Sequence, residues 1–250
     1  METISPDSTT GFVPAGIGES TLFSDRLDAG RQLVPSLEHE VGPDALILSL
    51  SHGGIEVAAE VARALHAPLD ILVVRKIRYP GAPQRVLGAV APGYAVYVHT
   101  RADLSARRLA IAAADARTEL EHVDRRLHGE HAALDVRGRE VLLIDDGATT
   151  GARMITATRW ARTQRARWIV AAVPIASTEA ADRIREEVDL FICPHVPASL
   201  GAVGIWYDEF EPVHDEDVLR VLDEVEADVA ESTRDQSRRH RLHVGHRRRS

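Results

Sequence analysis

Two adjacent aspartates, Asp145 and Asp146, follow four apolar residues in the stretch VLLIDDGATTGAR, residues 141–153. The apolar run is typical of a strand buried on both faces, and the loop after it is rich in Gly, Ala and Thr. In an open parallel sheet, ligands bind where strand ends lead into helices. The N–H groups of such a loop attract phosphate, whereas ionised carboxylates accept strong hydrogen bonds from sugar hydroxyls. The stretch therefore predicts a site for a phosphorylated ribose.

The basic residues indicate a second part of this site. The chain has 29 arginines and a single lysine, Lys76, which directly follows Arg75. Residues 75–92 contain prolines, glycines and further arginines, and this composition predicts a long mobile loop. The alternative interpretation is a solvent-exposed loop whose basic residues bind no ligand.

Two other phosphate-binding motifs are excluded by the same residues. A P-loop needs GxxxxGK[ST], and no such glycine pattern precedes Lys76. A dinucleotide fold needs GxGxxG after its first strand, whereas the first apolar run, residues 45–50, is followed by Ser-His-Gly-Gly.

Apolar runs and helical periodicities alternate along the chain. Such an order predicts an α/β fold with a mostly parallel twisted sheet and helices on both faces. The predicted strands are 45–50, 69–74, 94–99, 139–144, 168–173 and 188–193, and the predicted helices are 24–40, 55–65, 103–128, 152–164 and 178–187. We expect one main domain over residues 23–230, after a flexible segment, 1–22, and before a basic disordered tail, 231–250.

Composition narrows the class of protein further. The single cysteine, Cys193, excludes a disulfide within the chain and falls in a predicted buried strand, where a structural role is usual. No export signal and no run of about 18 apolar residues is present, which predicts a soluble cytoplasmic protein without a membrane contact. Residues 232–250 hold seven arginines and one aspartate although the whole chain carries a net charge of −8. A solvated tail explains them without nucleic acid as a partner.

Residues 141–153 resemble the signature of type I phosphoribosyltransferases, and the resemblance extends over residues 23–218. It implies a mostly parallel sheet with a small hood subregion. It also implies that Asp145 and Asp146 hold the ribose 2- and 3-hydroxyls of phosphoribosyl pyrophosphate. Arg153 replaces the family's usual Thr and stays outside this assignment. The residues that would wrap the 5-phosphate are Ala148, Thr149, Thr150, Gly151 and Ala152.

Two further segments resemble the pyrophosphate side of that family. The loop Ser51-His52-Gly53-Gly54 is similar to its pyrophosphate loop, where close approach of the backbone to the ligand needs glycine. A basic residue often stands at the place of His52, and an ordinary loop histidine is the alternative. The predicted mobile loop would close over the site and bring basic residues to the pyrophosphate. Its candidates are Arg75, Lys76, Arg78 and Arg85.

The segment LGAVGIWYDEFEP, residues 200–212, resembles the part of purine-type enzymes that follows the last core strand. By this resemblance Asp208 would lie on the magnesium-pyrophosphate side and contact the metal mainly through the donor and water. Gly201 stands near the place of the purine-stacking aromatic. Trp206, Tyr207 and Phe210 either cover an acceptor or pack in the core.

The resemblance implies transfer of the phosphoribosyl group to a nitrogen acceptor such as a nucleobase, with Mg²⁺ as cofactor and pyrophosphate as product. Type I relatives are commonly homodimers. No general base is evident, because Thr149 occupies the place of the aspartate in oxopurine enzymes. One alternative is a regulator that senses phosphoribosyl pyrophosphate and contacts nucleic acid through its Arg-rich tail. A hydrolase or phosphotransferase has no support from a cysteine nucleophile or a Ser-His-Asp signature.

Overall fold

The computed structural model describes residues 21–42, 44–93, 96–98, 104–129 and 135–246. Residues 1–20 of the predicted flexible segment lie outside these ranges. The described residues form strands β1 (Leu46–Ser49), β2 (Leu69–Ile71), β3 (Arg75–Tyr79), β4 (Ala82–Val90), β5 (Val96–Val98), β6 (Glu140–Ile144), β7 (Trp168–Ala172) and β8 (Leu190–Ile192). Five of them form a fully parallel sheet in the order β2-β1-β6-β7-β8.

Helices cover both faces of this sheet, as the alternating sequence pattern predicts. One face packs Ile47, Leu142 and Ile144 against one hydrophobic cluster, whereas Leu48 and Leu143 belong to a second cluster on the other face. Burial on both faces explains why these strands are continuously apolar. The fold class is thereby confirmed. The helices are α1 (Arg26–Leu33), α2 (His52–Leu65), α3 (Ala106–His128), α4 (Ala152–Thr163), α5 (Thr178–Arg185) and α6 (Asp215–His246).

The first helix is shorter than predicted. Helix α1 begins after its N-cap Asp25 and ends at Leu33, where a single 3-10 turn, Val34–Ser36, continues the chain. Pro35 lies in that turn and has no N–H to donate to a longer helix. Within the described ranges, no helix combines the length and the apolar composition that crossing a bilayer requires.

The prediction of a mobile loop over residues 75–92 is wrong in its secondary structure. Strands β3, β4 and β5 form an antiparallel sheet of their own. Ile77 and Val90 are fully buried in the core. Pro80 and Gly81 lie in the turn between β3 and β4, and Gly81 has a φ of 84°. Of the prolines and glycines that indicated a loop, Pro80 and Gly81 make the turn, whereas Pro83 and Gly88 lie within β4.

The carboxyl end of the chain also differs from its prediction. Helix α6 continues to His246 and so enters residues 231–250, for which the sequence predicts a disordered tail. Val218, Val221 and Val225 are buried at helical spacing along its first half. This apolar stripe anchors the helix to the body of the protein.

One buried ionic contact fastens the end of α3 to β2. His128 places Nε2 3.2 Å from Oδ1 of Asp70 and Nδ1 3.1 Å from Oδ1 of Asp124. The hydrogen bond with Asp70 and the charges of both aspartates raise the pKa of His128 in spite of its burial. The protonated imidazole therefore ties α3 to the sheet more strongly than the neutral one does.

We expect this contact to make stability depend on pH. A raised pKa means that the stabilisation is present below the unfolded value of about 6.5 and is lost as pH rises through the folded value. His128→Gln should lower the free energy of unfolding by about 1 kcal/mol at pH 6, and by less at pH 8.5. Urea unfolding at both pH values measures the difference. His122→Gln, an exposed residue of the same helix, is the control, and equal losses at both pH values would contradict the prediction.

Candidate functional site

Asp145 and Asp146 lie at the carboxyl end of β6, as predicted, and both are buried, with 3% and 7% of their surface exposed. Oδ1 of Asp145 accepts three hydrogen bonds. The donors are Oγ of Ser51 at 2.6 Å, the backbone N–H of Asp146 at 3.0 Å and Nη1 of Arg153 at 3.2 Å. Three donors on one oxygen hold the carboxylate in a single orientation.

Asp146 is held from the other side of the molecule. Nε of Arg26 lies 3.3 Å from its Oδ2, and the hydroxyl of Tyr207 donates to its backbone carbonyl at 2.7 Å. Burial and the neighbouring charge of Asp145 raise the pKa of Asp146, whereas the charges of Arg153 and Arg26 oppose that rise. Burial beside Asp145 therefore disfavours the ionised form of Asp146, which is the form that accepts a strong hydrogen bond from a sugar hydroxyl. The positive charges of Arg153 and Arg26 offset this effect.

Within the described part of the chain, the donor groups around the pair reach Oδ1 of Asp145 and Oδ2 of Asp146. The two carboxylates also contact each other. The second oxygen of each aspartate receives none of these donors. Two such acceptors from adjacent residues match two neighbouring hydroxyls of a sugar.

The loop after the aspartates leads directly into α4. Gly151 is the N-cap of α4, with a φ of 71°, and has no side chain to cap the helix, but Oγ1 of Thr150 accepts from the N–H of Ala152 at 3.4 Å. The other N–H groups of the first turn keep a partial positive charge that favours an anion. The loop is tied to α5, because Oγ of Ser177 donates to the carbonyl of Thr149 at 2.7 Å. The N–H of Ala148 donates to the carbonyl of Ile175 at 3.0 Å and is not available to a phosphate.

The Ser51-His52-Gly53-Gly54 segment begins α2, with Ser51 as N-cap, whose Oγ accepts from the N–H of Gly54 at 3.0 Å. The two glycines of this segment are required because the side chains of Asp145 and Asp146 lie too close to leave room for a Cβ. A Cβ on Gly53 would lie 2.4 Å from Oδ2 of Asp146 and 2.8 Å from Nε of Arg26. A Cβ on Gly54 would lie 3.1 Å from Oδ1 of Asp145. The close approach that requires glycine is thus made by the carboxylates of the protein itself.

His52 contacts the start of α6. Its Nε2 lies 2.6 Å from Oδ1 of Asp215, and Nε of Arg126 donates to the other oxygen of the same carboxylate. Hydrogen bonds from His52 and Arg126 lower the pKa of Asp215 although its partial burial acts in the opposite direction. His52 is therefore held in place by its contact with Asp215, and its role at a pyrophosphate site stays a prediction.

A cavity of about 160 Å³ lies next to Ser51 and Arg153, two partners of Asp145, and is lined mainly by basic and apolar side chains and by one carboxylate, Glu119. Arg75, Lys76 and Arg78 reach it from β3, Arg153 from α4 and His52 from α2. Burial lowers the pKa of Lys76 to about 8, and the positive charge of Arg153 adds to this effect. The cavity is therefore suited to an anion, whose charge would compensate the buried cations.

Arg85 and Asp208 lie apart from these groups. The guanidinium of Arg85 stacks on the ring of Tyr79 at 4.5 Å, and neither this cavity nor the one along the loop 147–152 is lined by Arg85 or Asp208. The carboxylate of Asp208 accepts a hydrogen bond from the hydroxyl of Thr21. The predicted contact of Asp208 with a metal stays a prediction.

Of the aromatic residues of segment 200–212, Tyr207 is buried, and Trp206 and Phe210 are half-buried. Tyr207 is 4% exposed and stacks between Phe23 and Phe210, with ring centroids 5.0 Å apart in both pairs. Nε1 of Trp206 donates to the carbonyl of Leu200 at 2.8 Å. Core packing therefore describes Tyr207, whereas covering an acceptor stays a prediction for the half-buried Trp206 and Phe210. Cys193 is half-buried, and burial raises the pKa of its thiol to about 11, which disfavours a nucleophilic role.

Two arginines that contact the aspartates are not assigned by the sequence. Arg153 departs from the family pattern, although its place next to the motif is a usable signal. Arg26 lies 120 positions before Asp146, and the sequence does not distinguish it from the other polar residues of an amphipathic helix. No local pattern indicates that its side chain turns inward.

A parallel α/β sheet that carries an aspartate pair, a small-residue turn into a helix and a basic cavity at one edge is typical of the type I phosphoribosyltransferase class. Residues 38–202 match the family model of the phosphoribosyl transferase domain, and the chain belongs to that family. It is 38% identical over 216 residues to the Mycobacterium tuberculosis (strain H37Rv) protein Rv0571c, named as a phosphoribosyl transferase. That match covers 84% of this chain and 48% of the relative, so the chain spans about half the length of such curated relatives.

A solved structure supports the fold over most of the chain. The crystal structure of TT1426 from Thermus thermophilus has a TM-score of 0.68 and 36% sequence identity to this protein. The match covers 80% of this chain and 97% of TT1426. The sheet and its flanking helices are thus a known architecture.

The contact between Gly53 and Asp146 can be tested by adding one methyl group. Gly53→Ala should lower the free energy of unfolding by about 1–3 kcal/mol, because its Cβ would overlap two buried polar atoms. This is the net loss, because the overlap should outweigh the gain of about 1 kcal/mol that alanine in place of glycine brings to a helix. Chemical denaturation of the wild type and the variant measures the difference in the free energy of unfolding. Gly42→Ala, whose Cβ would meet the Glu140 carboxylate at 3.0 Å, is the control, and a Gly53→Ala protein as stable as the wild type would refute this account.

Proposed function

We propose that the protein transfers the phosphoribosyl group of phosphoribosyl pyrophosphate to a nitrogen acceptor such as a nucleobase, with release of pyrophosphate. One observation supports this most directly: the buried pair Asp145 and Asp146 adjoins both the loop into α4 and the basic cavity. Asp145 lines the cavity along that loop, and its partners Ser51 and Arg153 line the basic one. The donor has a ribose between a phosphate and a pyrophosphate. The 5-phosphate, the ribose and the pyrophosphate of the donor would face the N-terminus of α4, the aspartate pair and the basic cavity, in this order.

The ribose and its phosphate would occupy the inner part of the site. The free oxygens of Asp145 and Asp146 would accept hydrogen bonds from the 2- and 3-hydroxyls. The 5-phosphate would lie at the N-terminus of α4, against Thr149, Thr150 and Gly151. We exclude the N–H of Ala148 from this contact because the carbonyl of Ile175 already accepts from it.

The pyrophosphate would occupy the basic cavity. Arg75 and Lys76 would contact it from β3, with Arg78 and His52 at the margin. Within the described ranges, no three His, Cys, Asp or Glu side chains form a metal-binding group. The donor would bind as its magnesium complex, in which magnesium neutralises charge on the leaving pyrophosphate.

The reaction breaks the bond between C1 of the ribose and the pyrophosphate oxygen, which leaves with the electron pair. The acceptor nitrogen forms the new bond to C1 and releases its proton. The protein would contribute by fixing the ribose and by stabilising the negative charge of the leaving group. The acceptor would be bound without stacking on Tyr207, because this ring is buried between Phe23 and Phe210.

Screening tests the reaction itself. Nucleobases and small nitrogen heterocycles are incubated with phosphoribosyl pyrophosphate, magnesium and the protein, and pyrophosphate release is measured. Asp145→Asn with Asp146→Asn should reduce turnover by a factor of about 100 or more, since two charge-assisted hydrogen bonds are lost. Asp44→Asn with Asp182→Asn removes two exposed carboxylates as the control. Unaltered turnover in the Asp145/Asp146 variant would refute the proposed site.

Lys76 makes a separate prediction about pH. Its pKa of about 8 means that the ammonium loses its proton as pH rises through that value, and a neutral amine binds pyrophosphate poorly. Donor affinity, measured by calorimetry, should therefore fall by about tenfold between pH 7.5 and 9.5. Lys76→Arg keeps its charge over this range and should show a flat profile. Parallel profiles for the two proteins would remove Lys76 from the pyrophosphate site.

A further inference from the structure

Arg26 is the first residue of α1 and lies before residue 38, where the match to the family model begins. Its side chain is nevertheless 7% exposed and reaches the aspartate pair at the centre of the molecule. A buried arginine is costly unless its charge and its donors are satisfied. The contacts of Arg26 therefore decide what its burial accomplishes.

Three of these contacts anchor the guanidinium. Nη1 donates to the backbone carbonyl of Glu211 at 2.8 Å and lies 3.5 Å from Oε2 of Glu56. The guanidinium carbon lies 3.7 Å from the centre of the Phe210 ring. A carboxylate on α2, together with a carbonyl and an aromatic face on segment 200–212, fixes its planar group in one orientation.

The fourth contact is with the functional site. Nε lies 3.3 Å from Oδ2 of Asp146, and Gly53 approaches so closely that no Cβ fits between them. The anchored guanidinium therefore holds one oxygen of Asp146 and determines where its second oxygen, Oδ1, is presented. Asp146 is buried beside Asp145, an arrangement that favours its neutral form, so a neighbouring positive charge is needed to keep it an acceptor.

The other arginine at the pair is placed differently. Arg153 lines the basic cavity and also contacts Asp145, so an anionic donor entering that cavity would compete for its guanidinium. Arg26 lines neither this cavity nor the one along the loop 147–152. Its contact with Asp146 would persist when the donor is bound.

We propose that Arg26 is a positioning residue that orients Asp146 and keeps it ionised for the ribose hydroxyl of the donor. This inference rests on the proposed function for the identity of the ligand. Arg26 itself contacts Asp146 and not the sugar. A purely structural Arg26 would fasten α1 to the body of the protein and would not change how donor binding depends on pH.

Donor binding as a function of pH separates these two roles. Calorimetric titration with magnesium phosphoribosyl pyrophosphate from pH 5.5 to 8.5 is carried out on the wild type, Arg26→Met, Arg26→Lys and Arg31→Met. Arg26→Met should bind about tenfold more weakly at pH 6 and recover towards wild-type affinity at pH 8.5, because Asp146 then ionises without help. Arg26→Lys should restore part of the affinity at pH 6. Arg31→Met, an exposed residue of the same helix, should match the wild type throughout.

A second measurement does not depend on the donor. In protein with carbon-13-labelled aspartate carboxyls, the pKa of Asp146 read by NMR should be higher in Arg26→Met than in the wild type. If Arg26→Met fails to fold, Arg26→Met with Glu56→Gln avoids leaving Glu56 without its partner, and Arg26→Lys keeps the charge. The inference is overturned if the folded variants show the wild-type pKa of Asp146 and the wild-type pH profile. If the wild type binds no donor, the proposed function fails, and the NMR titration still decides the role of Arg26.

Discussion

The structure depends on keeping two neighbouring carboxylates, Asp145 and Asp146, buried at the end of one strand. Removing an ion from water costs several kcal/mol, and two like charges side by side add repulsion. The surrounding chain compensates with donors from four places: Ser51, Arg26, Arg153 and the backbone of the pair itself. The glycines of the Ser51-His52-Gly53-Gly54 segment have the same origin, because only a residue without Cβ allows α2 to start against these carboxylates.

Sequence reasoning predicts the parallel sheet well, because strands buried on both faces must be apolar throughout, and β1 and β6 show this plainly. It fails at residues 75–92. Arg78, Gln84 and Arg85 are exposed in β3 and β4, and Pro83 lies among them, so prolines, glycine and basic residues dominate the composition of a segment that is in fact two strands. Sequence reasoning also predicts disorder where α6 continues to His246. A charged and polar composition indicates a solvated segment, but it does not exclude a helix that is anchored at its start.

The site is predictable to the extent that it is local. Asp145, Asp146 and the loop to α4 are consecutive, so one stretch of sequence defines them. Contacts between distant residues are not predictable, because a helical pattern distinguishes apolar from polar faces but does not show which polar residue turns inward. His52 and Asp215 are 163 positions apart, and Arg26 and Asp146 are 120 apart. Such pairs become visible only when the elements are packed.

The family match therefore does not contain the whole site of this chain. It ends at residue 202 and begins at residue 38, whereas Arg26, Tyr207, Phe210 and Glu211 lie outside it. These four residues form one connected group: Tyr207 supports the backbone of Asp146, and Phe210 and Glu211 anchor the guanidinium of Arg26. Because both chain segments must dock before Asp146 is oriented, folding of the ends and assembly of the site are coupled. A change in the packing of α1 would thus reach the aspartate pair directly, without passing through the sheet.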